Sequence, residues 1–248
     1  MQYAISLGKR CEPTPSATGN CPCCGQEVIA RCGDRKIWHW AHKGRRNCDP
    51  WWESETEWHR SWKAMFPLQS QEVVHFDDQT GEKHIADVKI SNGTVIEFQH
   101  SYIKPEEQRA REDFYKHMIW VVDGTRLKYD YPRFEKAIPQ WQQWLLLMRP
   151  VYCVAEVFPS AWANRKVPVV FDWGLLDEFV WLHPRQTNEA YQVCWKLDRD
   201  LLKSYLTLDW FALTQSNQGI EERKESSTQL LAKSPSFNHS LRQRSRRL

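Results

Sequence analysis

Asp87, Glu97 and Gln99 are the residues of this chain most suited to chemistry, and all three fall in the segment from Ile85 to Gln99. Two carboxylates beside an amide form the oxygen-donor set that holds a divalent cation, Mg²⁺ or Mn²⁺, against a phosphodiester. The segment reads as a β-hairpin, and its register decides whether the acids meet. A two-residue Asn92-Gly93 turn pairs Asp87 with Phe98 and sends the acids to opposite faces. A three-residue loop, Ser91-Asn92-Gly93 with Gly93 left-handed in a bulge, pairs Asp87 with Glu97 and Val88 with Ile96. A one-residue slip would mix apolar and polar faces, so burial favours the three-residue loop. In that register Asp87, Glu97 and Gln99 share a face, with Lys89 at its outer end. Directly opposed carboxylates repel, and a cation between them removes the repulsion. A solvated strand face, with Lys89 partly neutralising the acids, explains the hairpin alone equally well.

A second set of metal-ligating residues lies near the start of the chain. Six of the eight cysteines (Cys11, Cys21, Cys23, Cys24, Cys32 and Cys48) precede residue 50. Without a signal-peptide pattern this clustering argues for a metal rather than a disulfide scaffold. Cys21 and Cys24 have the spacing of a zinc knuckle. The other two ligands come from His39, His42 and Cys48. His42 and Cys48 rank first, because His39 falls on the expected strand Lys36 to Trp40 and the other two follow it. Cys23 and Cys32 are extra thiols that could exchange into the site. Arg31, Arg35, Lys36, Lys43, Arg45 and Arg46 make the same region basic, which suits contact with DNA phosphates.

The elements that position these residues can be read in outline. Strands are expected at Glu27 to Cys32 and Lys36 to Trp40. A helix then begins with Ser54 and Glu57 as a capping box and stops at Pro67. Trp58, Trp62 and Met65 form its buried stripe, and Glu55 and His59 flank it one turn apart. A strand at Glu72 to Phe76, the turn from Asp77 to Glu82 and the hairpin follow. Pro105, with Glu106 and Glu107 behind it, opens a helix to about His117, and Ile119 to Val122 is a strand. The order is α-β-β-β-α-β. Beyond Pro132 a Trp-rich helix through Trp141, Trp144, Leu145 and Met148 is expected, interrupted at Pro139. Val151 to Phe158, Val167 to Phe171 and Phe179 to Leu182 read as strands.

Of the 248 residues 41% are hydrophobic and 26% charged, as in a soluble protein with a sizeable core. Neither a signal peptide nor a membrane-length apolar run is visible, so a cytoplasmic location and no membrane partner are expected. The formal charge of +3 is unevenly placed: Arg242, Arg244, Arg246 and Arg247 put +4 into residues 234–248, leaving −1 for the rest. Four regions are expected: a zinc-ribbon-like module at 1–50, a core at 51–130, an α+β extension at 131–215 and a disordered basic tail at 216–248.

Six motifs in order resemble the competence CoiA-like nuclease family of the PD-(D/E)xK, restriction-endonuclease-like superfamily. They are Cys21-Pro22-Cys23-Cys24-Gly25, His39-Trp40-Ala41-His42, Glu53-Ser54-Glu55 through His59 and Lys63, Ala86-Asp87-Val88, Ile96 through Ser101, and Arg111 through Tyr115. The resemblance implies an α/β fold with a restriction-endonuclease-like αβββαβ core. It makes Asp87 and Glu97 the Mg²⁺ ligands, with the Phe98 carbonyl as a third, and Glu55 a supporting helix acid. Gln99 replaces the superfamily's lysine and would position water; Lys89 or Lys63 would supply the missing charge. Arg111, Tyr115 and Lys63 are the candidate DNA contacts; Arg111 and Tyr115 could instead brace Glu97, or equally be a structural pair on the helix face. His59, His84 and His100 are candidate site neighbours, His59 first among them. The implied partners are DNA and other DNA-processing proteins, and the implied role is DNA uptake or recombination. A DNA-binding scaffold that kept the fold and lost the chemistry is the competing expectation.

Overall fold

The αβββαβ order is built as expected, and its four strands form one end of a larger sheet. The computed structural model describes residues 1–44, 48–51, 53–143, 149–185 and 190–207. The basic tail, Arg45, Arg46, Trp144, Leu145 and Met148 lie outside the described residues.

The N-terminal region forms a five-stranded antiparallel sheet in the order β2-β1-β3-β4-β5. Its strands are β1 (Ala4–Ser6), β2 (Lys9–Cys11), β3 (Thr18–Asn20), β4 (Glu27–Arg31) and β5 (His39–His42). Only β4 and β5 were legible beforehand, and β5 lies later than Lys36 to Trp40, so His42 is on the strand and not after it. Val28 and Trp40 pack with Ala4, Cys21 and Cys23 into a small core, against which Val74 and Ile85 of the larger sheet also pack.

Helix α1 (Glu57–Lys63) is shorter than predicted. Its cap is Thr56, whose hydroxyl accepts from the His59 N–H while the His59 side chain accepts from the Thr56 N–H. This reciprocal cap displaces the expected Ser54–Glu57 box. Glu55 therefore precedes the helix, and does not stand one turn from His59 on it.

Strands β6 (Gln71–Phe76), β7 (Lys83–Lys89) and β8 (Val95–Gln99) follow as an antiparallel meander. Helix α2 (Pro105–Tyr115) crosses over to β9 (Met118–Asp123), which runs parallel to β8. Every residue of β8 and β9 is buried, as in parallel strands covered on both faces.

The C-terminal part continues this sheet. After α3 (Asp130–Ala137) come β10 (Arg149–Val151), α4 (Val154–Val157), β11 (Val169–Asp172), β12 (Phe179–Leu182), β13 (Gln192–Leu197) and α5 (Arg199–Thr207). The eight-stranded order is β10-β13-β12-β11-β9-β8-β7-β6. The stretch Val151 to Phe158, expected as a strand, instead holds the last residue of β10 and then the turn of α4. Its apolar residues Val154 and Phe158 are four apart and enter the core from one helical face. α3 begins at Asp130, before Pro132, and ends before Pro139; Trp141, expected on a continuing Trp-rich helix, stands on a separate 3-10 turn at Trp141–Gln143. Among the described residues no helix is long and apolar enough to cross a membrane.

Candidate metal centres

The β7–β8 hairpin takes the three-residue loop. Val88 pairs with Ile96 and Lys89 with Val95, the Ile90 N–H donates to the Thr94 carbonyl, and Gly93 adopts a φ of 89°. That left-handed position favours glycine. Asp87 then falls opposite Glu97, and there the ladder ends. The Asp87 N–H donates to Glu97 Oε1 at 3.1 Å, and the Phe98 N–H donates to Asp87 Oδ2 at 2.9 Å. Each carboxylate takes a backbone donor of the opposite strand at the point where the β7–β8 ladder ends.

Glu97 is 3% exposed, and burial, with Asp87 beside it, pushes its carboxyl up to about 8 despite Arg111. Arg111 Nη1 donates to Glu97 Oε2 at 2.8 Å, while Nη2 donates to Glu107 and to the Trp51 carbonyl. Gln99 is equally buried; its Nε2 donates to Glu53 Oε2 at 2.6 Å, and its Oε1 has no donor among the described residues. The Asp87 and Glu97 carboxylates are hard oxygen donors of the type Mg²⁺ or Mn²⁺ takes, so the residues present fit that ion. The Phe98 carbonyl, a suggested third ligand, faces His59 Nε2 at 3.1 Å.

Glu55 does not complete a metal-holding group of three with Asp87 and Glu97 among the described residues. It is held by Arg60 and by Lys63, whose ammonium also meets Glu72 Oε1 at 3.0 Å. Burial works against the charge of Lys63, but Glu72, Glu55 and Asp87 outweigh it and raise its pKa. Lys63 is 2% exposed, Arg111 5% and Tyr115 5%. These three expected DNA contacts lie inside the protein: Lys63 neutralises Glu55 and Glu72, Arg111 braces Glu97, and Tyr115 packs edge-on to Trp51. Lys89 bonds His75 Nδ1 at 2.9 Å. His100 pairs with Asp123 at 2.6 Å, and His84 with Asp49 at 2.9 Å and Glu82 at 2.8 Å.

The second centre is the cysteine–histidine cluster. The ligand atoms of Cys21, Cys24, His42 and Cys48 all lie within 4.8 Å of one another, the one such group of three or more His, Cys, Asp or Glu among the described residues. Cys21 Sγ is 3.7 Å from Cys48 Sγ, and Cys24 Sγ is 3.2 Å from His42 Nε2. A tetrahedron with Zn–S bonds of about 2.3 Å has edges of about 3.8 Å, so thiolates at this separation suit zinc. The knuckle is closed by the Gly25 N–H on the Cys21 carbonyl, with Gly25 left-handed. His39 is outside the cluster; its Nδ1 lies 2.8 Å from the Ile37 carbonyl.

Residues 17–50 match the model of the family described as competence protein CoiA, N-terminal domain. The matched stretch contains all four residues of the cluster and is similar to that domain. No curated protein and no solved structure matches the chain.

The two centres are mechanically joined. Asp49, next to Cys48, accepts from the Ile85 N–H and the Trp51 N–H and meets His84. The Trp51 ring stacks on His84 with centroids 3.3 Å apart, and its carbonyl receives Arg111. Glu72 joins the other side, accepting the N–H groups of Gln2 at 2.7 Å and Tyr3 at 3.0 Å. The sequence reading did not single out Asp49, Trp51 or Glu72 as functional, and Glu53 only as part of a motif. Their partners are distant in the chain, so no local spacing marks them.

Proposed function

We propose that this chain is a metal-dependent DNA nuclease with a zinc-binding N-terminal module, acting in competence-related DNA uptake, recombination or other DNA processing. The observation that carries the reading is the pair Asp87–Glu97, opposed where two strands part and each bound to the other strand's backbone. The αβββαβ order around it and the CoiA-like stretch before it support the same reading.

Asp87 and Glu97 would hold the Mg²⁺ or Mn²⁺, which supplies charge to polarise a phosphate oxygen and to acidify a water. The protein's own residues do the rest. Lys63 keeps Glu55 and Glu72 neutralised behind Asp87, and Trp51 and Glu107 anchor the Arg111 that faces Glu97. For Glu97 to serve as a ligand, Arg111 must share or yield the carboxylate.

The test is incubation of wild type, Asp87→Ala and Glu97→Ala with single- and double-stranded DNA and Mg²⁺ or Mn²⁺. Cleavage by wild type and loss in both variants is the expected result; identical nicking by all three removes the proposal. One observation favours a second reading, a DNA-binding scaffold without turnover: Arg111 already occupies Glu97, and Gln99 stands where the resembled superfamily has lysine. Binding of DNA without cleavage by wild type would select it.

A further inference from the structure

We infer that Gln99 serves this site as a hydrogen-bond acceptor, holding water at Oε1, and that Glu53 is the positioning residue that fixes it that way. The inference rests on the nuclease reading and specifies how that site handles its water.

The orientation of the amide follows from its neighbours. Gln99 Nε2 has Glu53 Oε2 at 2.6 Å and the Ser101 carbonyl at 3.2 Å, and neither oxygen can donate. Turning the amide over would press Oε1 against a carboxylate and a carbonyl. Both N–H bonds are thereby committed, and the oxygen takes the other edge. Glu53 cannot turn aside easily, because its Oε1 accepts the Ser101 N–H at 2.7 Å.

Gln99 is 3% exposed, and Oε1 receives no hydrogen bond among the described residues. A buried acceptor left in this state is costly, which points to a ligand that brings a proton. Gln99 is two residues from Glu97 on β8, so both side chains leave the same face. A water bound beside the carboxylate pair is the ligand that meets both conditions. A lysine in this place would donate; glutamine oriented by Glu53 has the opposite polarity.

In hydrolysis the water oxygen bonds to phosphorus and the bond from phosphorus to the 3′ oxygen breaks. The water loses one proton to solvent, and the leaving oxygen takes one from solvent. Gln99 exchanges no proton; its amide oxygen aligns the water.

The experiment compares kcat and KM on DNA with Mn²⁺ for the full-length, zinc-loaded protein. Gln99→Met, similar in size but without the amide oxygen, is expected to lower kcat about 100-fold, as loss of one preorganised polar group does. KM for DNA should stay within about twofold, since the lost interaction is made to water and not to ground-state DNA. Gln99→Lys should be slow as well. Glu53→Gln offers the amide a donor and frees it to invert, so kcat falls; Glu53→Gln combined with Gln99→Glu reverses the pair, restores an acceptor at 99 and recovers rate. Wild-type kcat in Gln99→Met and Glu53→Gln, or a Gln99→Lys enzyme as fast as wild type, would overturn the inference. If Glu53→Gln fails to fold, the Met–Lys comparison at 99 decides alone. A wild type that cuts no DNA removes the nuclease reading and this role together, whereas a cutting wild type with unaffected variants removes this role only.

Discussion

Asp87 and Glu97 trade backbone hydrogen bonds across the mouth of their hairpin, the Asp87 N–H on Glu97 Oε1 and the Phe98 N–H on Asp87 Oδ2. The carboxylates thus replace the ladder bonds that an ordinary antiparallel pair would make there. Two acids are held near each other by the main chain itself, with Arg111 as the counter-charge on the Glu97 side.

This arrangement gives Glu97 a titration that stability should report. Burial and Asp87 hold its folded pKa near 8, above the ordinary 4.5. Between those values the folded protein keeps a proton that the unfolded chain has lost, so stability falls as pH rises through the window. Glu97→Gln cannot titrate. Its urea midpoint, measured without added divalent cation, should gain on wild type steadily from about pH 5 to pH 8. Parallel curves for the two proteins would contradict the assignment.

Lys63 should matter to folding before it matters to anything else. It lies between Glu55 and Glu72, and all three side chains are less than a tenth exposed. Lys63→Met leaves Glu55 with Arg60 alone and takes from Glu72 its ion-pair partner, a loss of about 3–5 kcal/mol in chemical denaturation. Adding Glu72→Gln should recover part of that loss, because one of the stranded charges is then gone. A Lys63→Met protein as stable as wild type would mean that the carboxylates find other partners.

How much of this was legible in the sequence differs from element to element. The hairpin register followed from residue alternation and one glycine, and the crossover helix α2 from Pro105 and the acids behind it, because both signals are local. The start of α1 was misplaced because Thr56 and His59 cap each other, and a histidine accepting the reciprocal bond is not in the usual Ser/Thr–Glu pattern. Strands β1, β2 and β3 have three residues each, too short to show a period. β13 carries three apolar residues in a row and its buried positions do not alternate, so no period of two marks it. At the site, Asp87, Glu97 and Gln99 were visible as a face. Glu53, which orients Gln99 across 46 residues of chain, was not, since only the fold brings them together.

The cysteine–histidine cluster should bind one zinc ion per chain, read by elemental analysis of the purified protein. Cys21→Ser and His42→Ala should each lose most of it, while His39→Ala keeps it, because His39 points to the Ile37 carbonyl and away from the cluster. Retention of zinc by His42→Ala with loss in His39→Ala would exchange the two histidines.

Acid should loosen the join between the N-terminal strands and the main sheet at Glu72. Burial alone would raise this carboxyl, but Lys63, the N-terminal amine and the N–H groups of Gln2 and Tyr3 lower it to about 2. Its folded value is below the ordinary 4.5, so the stability it contributes is present above that value and is lost as pH falls toward 2. The span corresponds to on the order of 3 kcal/mol. Glu72→Gln removes that contribution at neutral pH and also leaves Lys63 with one carboxylate fewer. Wild type and Glu72→Gln should therefore differ most near neutrality and converge as the pH approaches about 2. Backbone amide exchange at Gln2 and Tyr3, faster in the variant at neutral pH and equal in the two proteins in acid, would localise the effect to the join. A constant gap between the two stability curves across the acid range would show that Glu72 contributes through packing and not through its charge.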